Sequence, residues 1–110
     1  MEVRAIARNV QISPRKVRLV VDAVRGRKVD EALAILQFMP QRAAKDVYKV
    51  VKSAAANAEN NYNLDVDRLW INRIAADEGR RLKRIWRRNH GQANPLLKRW
   101  SHITVIVEDR

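Results

Sequence analysis

The sequence predicts an α+β domain in which three helices pack on a small antiparallel sheet and a long β-hairpin protrudes from that sheet. Three observations predict it: apolar residues recur at helical spacing between residues 14 and 60, strand-like alternation occurs near both ends, and a carboxylate-free basic segment joins the last two strand-like runs. A chain of 110 residues has room for one domain, residues 1–110, with the extended basic hairpin at about 80–100. Such a domain buries roughly 65% of the surface its unfolded chain exposes. Apolar residues make up 46% of the chain and aromatic ones only 5%, so the core must come from Ala, Val, Ile and Leu.

Residues 3–10 read as a short strand, with Val3, Ala5 and Ala7 on one side and Arg4, Ile6, Arg8 and Val10 on the other. Ser13 then reads as a helix N-cap and Pro14 as the first helical residue, where proline's missing N–H is not needed. The helix should run to about Arg25 and end at Gly26, burying Val17, Val20, Val21 and Val24 along one stripe. Residues 29–38 form a second helix, with Asp30 and Glu31 at its positive end and Ala32, Leu33, Ile35 and Leu36 available to the core. After Pro40, a third and central helix is predicted over 41–60. Its inward residues are Ala43, Ala44, Val47, Val50, Val51, Ala54, Ala55 and Ala58, and their small side chains allow a neighbour to approach closely. Asn57, Asn60, Asn61 and Asn63 crowd its end, where asparagine tolerates the left-handed conformation. Residues 69–76 and 102–107 read as two arms of one hairpin, with Ile103, Val105 and Val107 alternating against His102, Thr104 and Ile106.

Composition narrows the function. The formal charge of +11, from 23 Lys and Arg against 12 Asp and Glu, exceeds what solubility needs and attracts polyanions, nucleic acid first. No cysteine is present, which rules out disulfides and thiolate metal sites, and neither metal nor cofactor is expected. Met1, Glu2, Val3 and Arg4 lack the apolar core of a targeting signal, and no run approaches the roughly 20 apolar residues of a membrane span. A cytoplasmic protein without a membrane partner is the expectation.

Between Gly79 and His102 the sequence carries Arg80, Arg81, Lys83, Arg84, Arg87, Arg88, Lys98 and Arg99 and no Asp or Glu. An insertion of that length in a compact domain calls for a functional explanation. Its like charges repel and it has few apolar groups to bury, so a polyphosphate partner is expected to order it. Arginine can bind phosphate through two parallel hydrogen bonds, and each neutralised phosphate releases a counterion. Gly91, beside His90, takes positive φ without strain and marks the expected tip. Arms of about ten residues would hold that tip about 33 Å from the core. Trp86 and Trp100 interleave with the cations and could stack on unpaired bases, although Trp100 suits the edge of the core equally well. Arg15, Lys16 and Arg18 form a second basic cluster at the start of the first helix, and Arg25 lies on the same helix.

The run Ile12-Ser13-Pro14-Arg15-Lys16-Val17-Arg18 is followed by Ser53-Ala54-Ala55-Ala56-Asn57-Ala58, then by Asp77-Glu78-Gly79 and Leu82-Lys83-Arg84. Lys98-Arg99 and Ser101-His102-Ile103-Thr104-Val105 complete the set. In this order the sequence resembles the bacterial large-subunit ribosomal protein twenty-two family over essentially its whole length. The resemblance implies a structural constituent of the large ribosomal subunit that binds 23S ribosomal RNA, supports subunit assembly and contacts neighbouring ribosomal proteins. It also implies that the hairpin tip, here Arg88, Asn89, His90, Gly91, Gln92 and Ala93, lines the nascent-peptide exit tunnel and meets the nascent polypeptide. RNA-binding positions carried over are Arg15, Lys16, Arg18, Arg25 and the cations of the hairpin; no obligate homo-oligomer is implied. Arg80 and Arg87 stand where the family often has Pro, Gln92 and Leu97 where it often has Arg, and Trp100 where it often has a small residue. The outgoing arm has therefore gained cations and the returning arm has fewer of them.

Two other classes fit the sequence less well. His90, His102, Asp77 and Glu78 are conceivable acid, base or metal groups of a nuclease, but no phosphate loop, paired-histidine spacing or nucleophile motif accompanies them. A free-standing nucleic-acid or membrane-surface binder also suits the basic composition. The cationic segment lacks the continuous apolar face a membrane surface needs, however, and binding to large-subunit ribosomal RNA in preference to duplex DNA is expected.

Overall fold

A computed structural model describes the backbone of residues 1–88 and 92–110, and the side chains of residues 1–78 and 100–110. Strand β1 (Glu2–Val10) leads into α1 (Pro14–Val24), α2 (Val29–Phe38) and α3 (Ala43–Tyr62). A 3-10 turn (Val66–Arg68) then precedes β2 (Leu69–Arg88) and β3 (Gln92–Asp109). The three strands form one antiparallel sheet in the order β1-β3-β2. The α+β architecture expected from the sequence is thus observed.

Alternation decides which face of the sheet is covered. Cross-strand partners place Val3, Val107 and Ile71 in one row, Ala5, Val105 and Ile74 in the next, and Ala7, Ile103 and Ala76 in a third. All of these are buried except the half-buried Ala7, while His102, Thr104 and Ile106 on the alternate positions stay half-exposed. The helices pack on the covered side, with Val17, Val20, Val21 and Val24 of α1 fully inaccessible. The inward residues of α3 are the eight expected, each buried. Ile71 and Ile74 both point inward although three residues apart because the ladder shifts register between Ile71 and Arg73. The residue passed over, Asn72, donates its Nδ2 to Glu2 Oε1 at 2.8 Å.

Three local differences from the sequence reading have physical causes. Helix α3 lies two residues later than predicted: Gln41 and Arg42 form a turn, and the helix ends only when Asn63 takes φ 54° and its N–H bonds the carbonyls of Ala58 and Glu59. Val10 packs against the core instead of pointing outward with Arg8, because Asn9 adopts φ 58° and the β1–β3 register shifts after Ala7. Ser13 precedes α1 as expected, but its carbonyl, not its hydroxyl, does the bonding, accepting from the N–H groups of Lys16 and Val17. Gly26 takes φ 75° just past the helix, the conformation for which glycine was expected there.

Strands β2 and β3 run 20 and 18 residues, against the five or six typical of globular sheets. Their pairing continues past the body from Arg81↔Arg99 to Arg88↔Gln92, after a second register shift between Glu78 and Arg81. The arms therefore supply each other's backbone hydrogen bonds. The radius of gyration is 16.9 Å, where a compact chain of this length has about 13 Å, and the long axis is 62 Å against 25 and 17 Å.

Candidate nucleic-acid interface

The distribution of acids sets the electrostatics. Every Asp and Glu lies at or before Glu78 or at Glu108 and Asp109, so the paired extension carries positive charge alone. On that extension β2 holds Arg80, Arg81, Lys83, Arg84, Arg87 and Arg88, and β3 holds Lys98 and Arg99. Of the expected tip, Arg88 ends β2 and Gln92 and Ala93 begin β3. Asn89, His90 and Gly91 lie outside the described residues, as do the side chains of Trp86 and of the eight cations. Trp100 is half-buried at the root.

At the root, β2 is an edge strand, and its outer carbonyls and N–H groups need partners. Helix α1 and the loop after it supply them. Arg18 Nε donates to the Ala76 carbonyl at 3.1 Å, and Arg25 Nη2 to the Ile74 carbonyl at 3.2 Å. The Ile71 N–H donates to the Arg27 carbonyl at 2.9 Å, and Lys28 bridges to Trp70. Arg18 and Arg25, singled out in the sequence as cations for RNA, thus also close the edge of the sheet. Arg25 has a further partner, since its Nη1 lies 2.8 Å from Asp22 Oδ1. Arg15 and Lys16 differ: both are exposed, and neither forms an ion pair among the described residues. They remain available to an anion.

The other edge of the root is tied to the end of β1 and the segment after it. The Asn9 N–H donates to His102 Nδ1 at 3.1 Å, and the buried Ser101 hydroxyl donates to the Ile12 carbonyl. His102 is therefore a strand residue holding one hydrogen bond, facing Asp77 across the ladder. Among the described residues no group of three or more His, Cys, Asp or Glu is placed to hold a metal. The edge-closing role of the arginines is hidden in the sequence because their partners are main-chain carbonyls more than 40 residues away. The only signal is their regular recurrence on the flank of the valine stripe.

Comparison with known proteins agrees with this geometry. The family described as Ribosomal protein L22p/L17e matches residues 5–108. The large ribosomal subunit protein uL22 of Thermoanaerobacter sp. (strain X514) is 54% identical over 110 residues, covering 100% of this chain and 99% of the relative. That of Clostridium novyi (strain NT) is also 54% identical with the same coverage, and that of Thermotoga sp. (strain RQ2) is 49% identical over 100% of this chain and 69% of the relative. A match spanning nearly the whole sequence, onto a sheet with a long basic two-stranded extension, leaves one conclusion: the chain belongs to the ribosomal protein L22p/L17e family, and its role is structural and ribosomal, not enzymatic.

Proposed function

We propose that the chain is built into the large ribosomal subunit in the cytoplasm, where it binds 23S ribosomal RNA and supports assembly of the subunit. The observation that carries this reading is the ladder from Arg81↔Arg99 to Arg88↔Gln92, a two-stranded arm beyond the core on a stretch of sequence with no acid. Phosphates on both sides of such an arm would neutralise charges that the sequence of the arm leaves unopposed. Arg15 and Lys16, with no ion pair among the described residues, are the natural second contact, while Arg18 and Arg25 can meet RNA only through the guanidinium nitrogens they do not spend on the sheet. The end of the arm, residues 88–93, reaches the nascent-peptide tunnel and touches the nascent polypeptide; the body meets neighbouring ribosomal proteins. The uL22 relatives are named as large-subunit proteins, which supports the placement.

Replacing Arg80, Arg81, Lys83 and Arg84 together by Gln tests the reading. The salt dependence of binding to 23S ribosomal RNA should flatten by roughly 0.7 to 0.9 units of log–log slope for each phosphate no longer neutralised. An unchanged slope takes these four out of the interface. For the tip, a photoreactive residue in place of Ala93 should label a stalled nascent chain, and labelling of RNA alone would refute tunnel contact.

A further inference from the structure

Beside the root of the arm, where the segment after β1 meets the turn before α3, a cleft of about 520 Å³ opens. Its size falls within the roughly 300–1,000 Å³ of clefts that hold small ligands. The aliphatic lining is the exposed Leu19, with Ile12 and Ala43, both buried, beside it. Leu19 is out of phase with the buried stripe of α1 and 64% exposed, so its apolar surface faces the opening without a partner. Gln11 and Gln41 add two exposed amides that make no hydrogen bond among the described residues. Lys16 and Arg42 add two cations with no ion pair among those residues, and no carboxylate lines the cleft.

We propose that this cleft is a subsite for a single unstacked nucleotide of ribosomal RNA, its base against Leu19 and its phosphates at Lys16 and Arg42. This inference rests on the RNA-binding reading above and names a place for one base within it. The chemistry selects the ligand class. An aliphatic wall takes the face of a base, an amide offers both donor and acceptor to a base edge, and cations take the flanking phosphates. A purely apolar peptide would leave both charges unmatched, and a bare phosphate would leave Leu19 uncovered. The Ser101 hydroxyl bonded to the Ile12 carbonyl joins the cleft to β3, so a nucleotide held there would be fixed relative to the arm.

The test uses the full chain, 23S ribosomal RNA and base-specific chemical probing, with three variants: Leu19→Asn, Gln11→Ala with Gln41→Ala, and Lys16→Gln with Arg42→Gln. All sites are exposed, and unchanged thermal melting confirms that the variants fold. The wild type should protect one single-stranded base. The first two variants should restore its reactivity and weaken binding roughly tenfold at unchanged salt slope. The third should flatten the slope by about 0.7 for each phosphate that is no longer neutralised. A footprint identical to the wild type in every variant, with RNA still bound, overturns the cleft and leaves the arm's reading intact. Failure of the wild type to bind the RNA overturns both. Cross-linking from position 19 to a protein segment in assembled subunits would assign the cleft to a protein partner and also overturn the proposal.

Discussion

The two halves of β2 share one partner strand, β3, and little else. From Leu69 to Ala76 the strand buries Leu69, Ile71, Ile74 and Ala76, and its outer edge is closed by Arg18, Arg25, Arg27 and Lys28. From Arg80 to Arg88 the same strand pairs only with β3 and carries six cations with no acid. The first half is held by burial, worth about 25 cal/mol for each Å² of apolar surface removed from water. The second half has its backbone hydrogen bonds, each contributing about 1 kcal/mol or less, set against repulsion among its charges. A single strand can thus serve as core at one end and as ligand-seeking surface at the other, and the register shift between Glu78 and Arg81 marks the boundary.

The largest effect expected from this contrast is on RNA affinity. Replacing residues 80–99 by a short turn should leave a cooperative body that melts near the parent temperature. The parent should lose roughly a thousandfold or more in affinity for 23S ribosomal RNA between about 50 and 200 mM salt, and the shortened chain far less. Equal salt dependence in filter-binding assays would erase the distinction between the halves. Next in size is Val105→Ala, at a fully buried position in the middle row of the sheet, which should cost about 2 kcal/mol in urea denaturation. Lys83→Ala on the arm should stay within about 0.5 kcal/mol of the parent.

A smaller difference should separate two neighbouring arginines. Arg18→Gln removes the bond to the Ala76 carbonyl and should destabilise the fold by roughly 0.5–1 kcal/mol, given partial exposure, whereas Arg15→Gln should leave stability unchanged. Equal melting of the two variants would remove Arg18 from the closure of the edge. The smallest effect is a pH dependence at the far end of the sheet, where a hydrogen bond from the Met1 ammonium at 3.1 Å holds the Asp109 carboxyl below its usual range. A lowered folded-state pKa gives stability that is present above the ordinary aspartate value and lost as pH falls through the lowered one. In acid titration the Asp109→Asn variant should lose part of that slope, and an identical slope would show the pair to be inert.

Much of the fold is legible in the sequence because its signals are local and periodic. The valine stripe of α1, the alanine-rich face of α3 and the alternation of Ile103, Val105 and Val107 each follow from spacing alone. Asn63 at the end of α3 and Gly26 after α1 are legible through the conformations those residue types tolerate. The inward turn of Val10 and the displacement of Asn72 are not, because a bulge is decided by pairing between strands far apart in sequence. The basic arm is visible as a run without acids, but its condition is only half visible. Charge patterning suggests a segment ordered by its partner, and the ladder adds an internal source of order that such patterning does not reveal. Leu19 is the overlooked clue to the cleft, an apolar residue in the wrong phase of an otherwise regular helix.

The ties at the root, from Asn9 to His102 and from Ser101 to Ile12, have a mechanical consequence. The arm is a lever: over about 33 Å, a tilt of about 10° at its fulcrum would sweep the far end through about 6 Å. An error too slight to disturb the packing of the body would then be magnified into a missed encounter at the other extreme. The accuracy of the distant end then depends on a few bonds beside the hinge line.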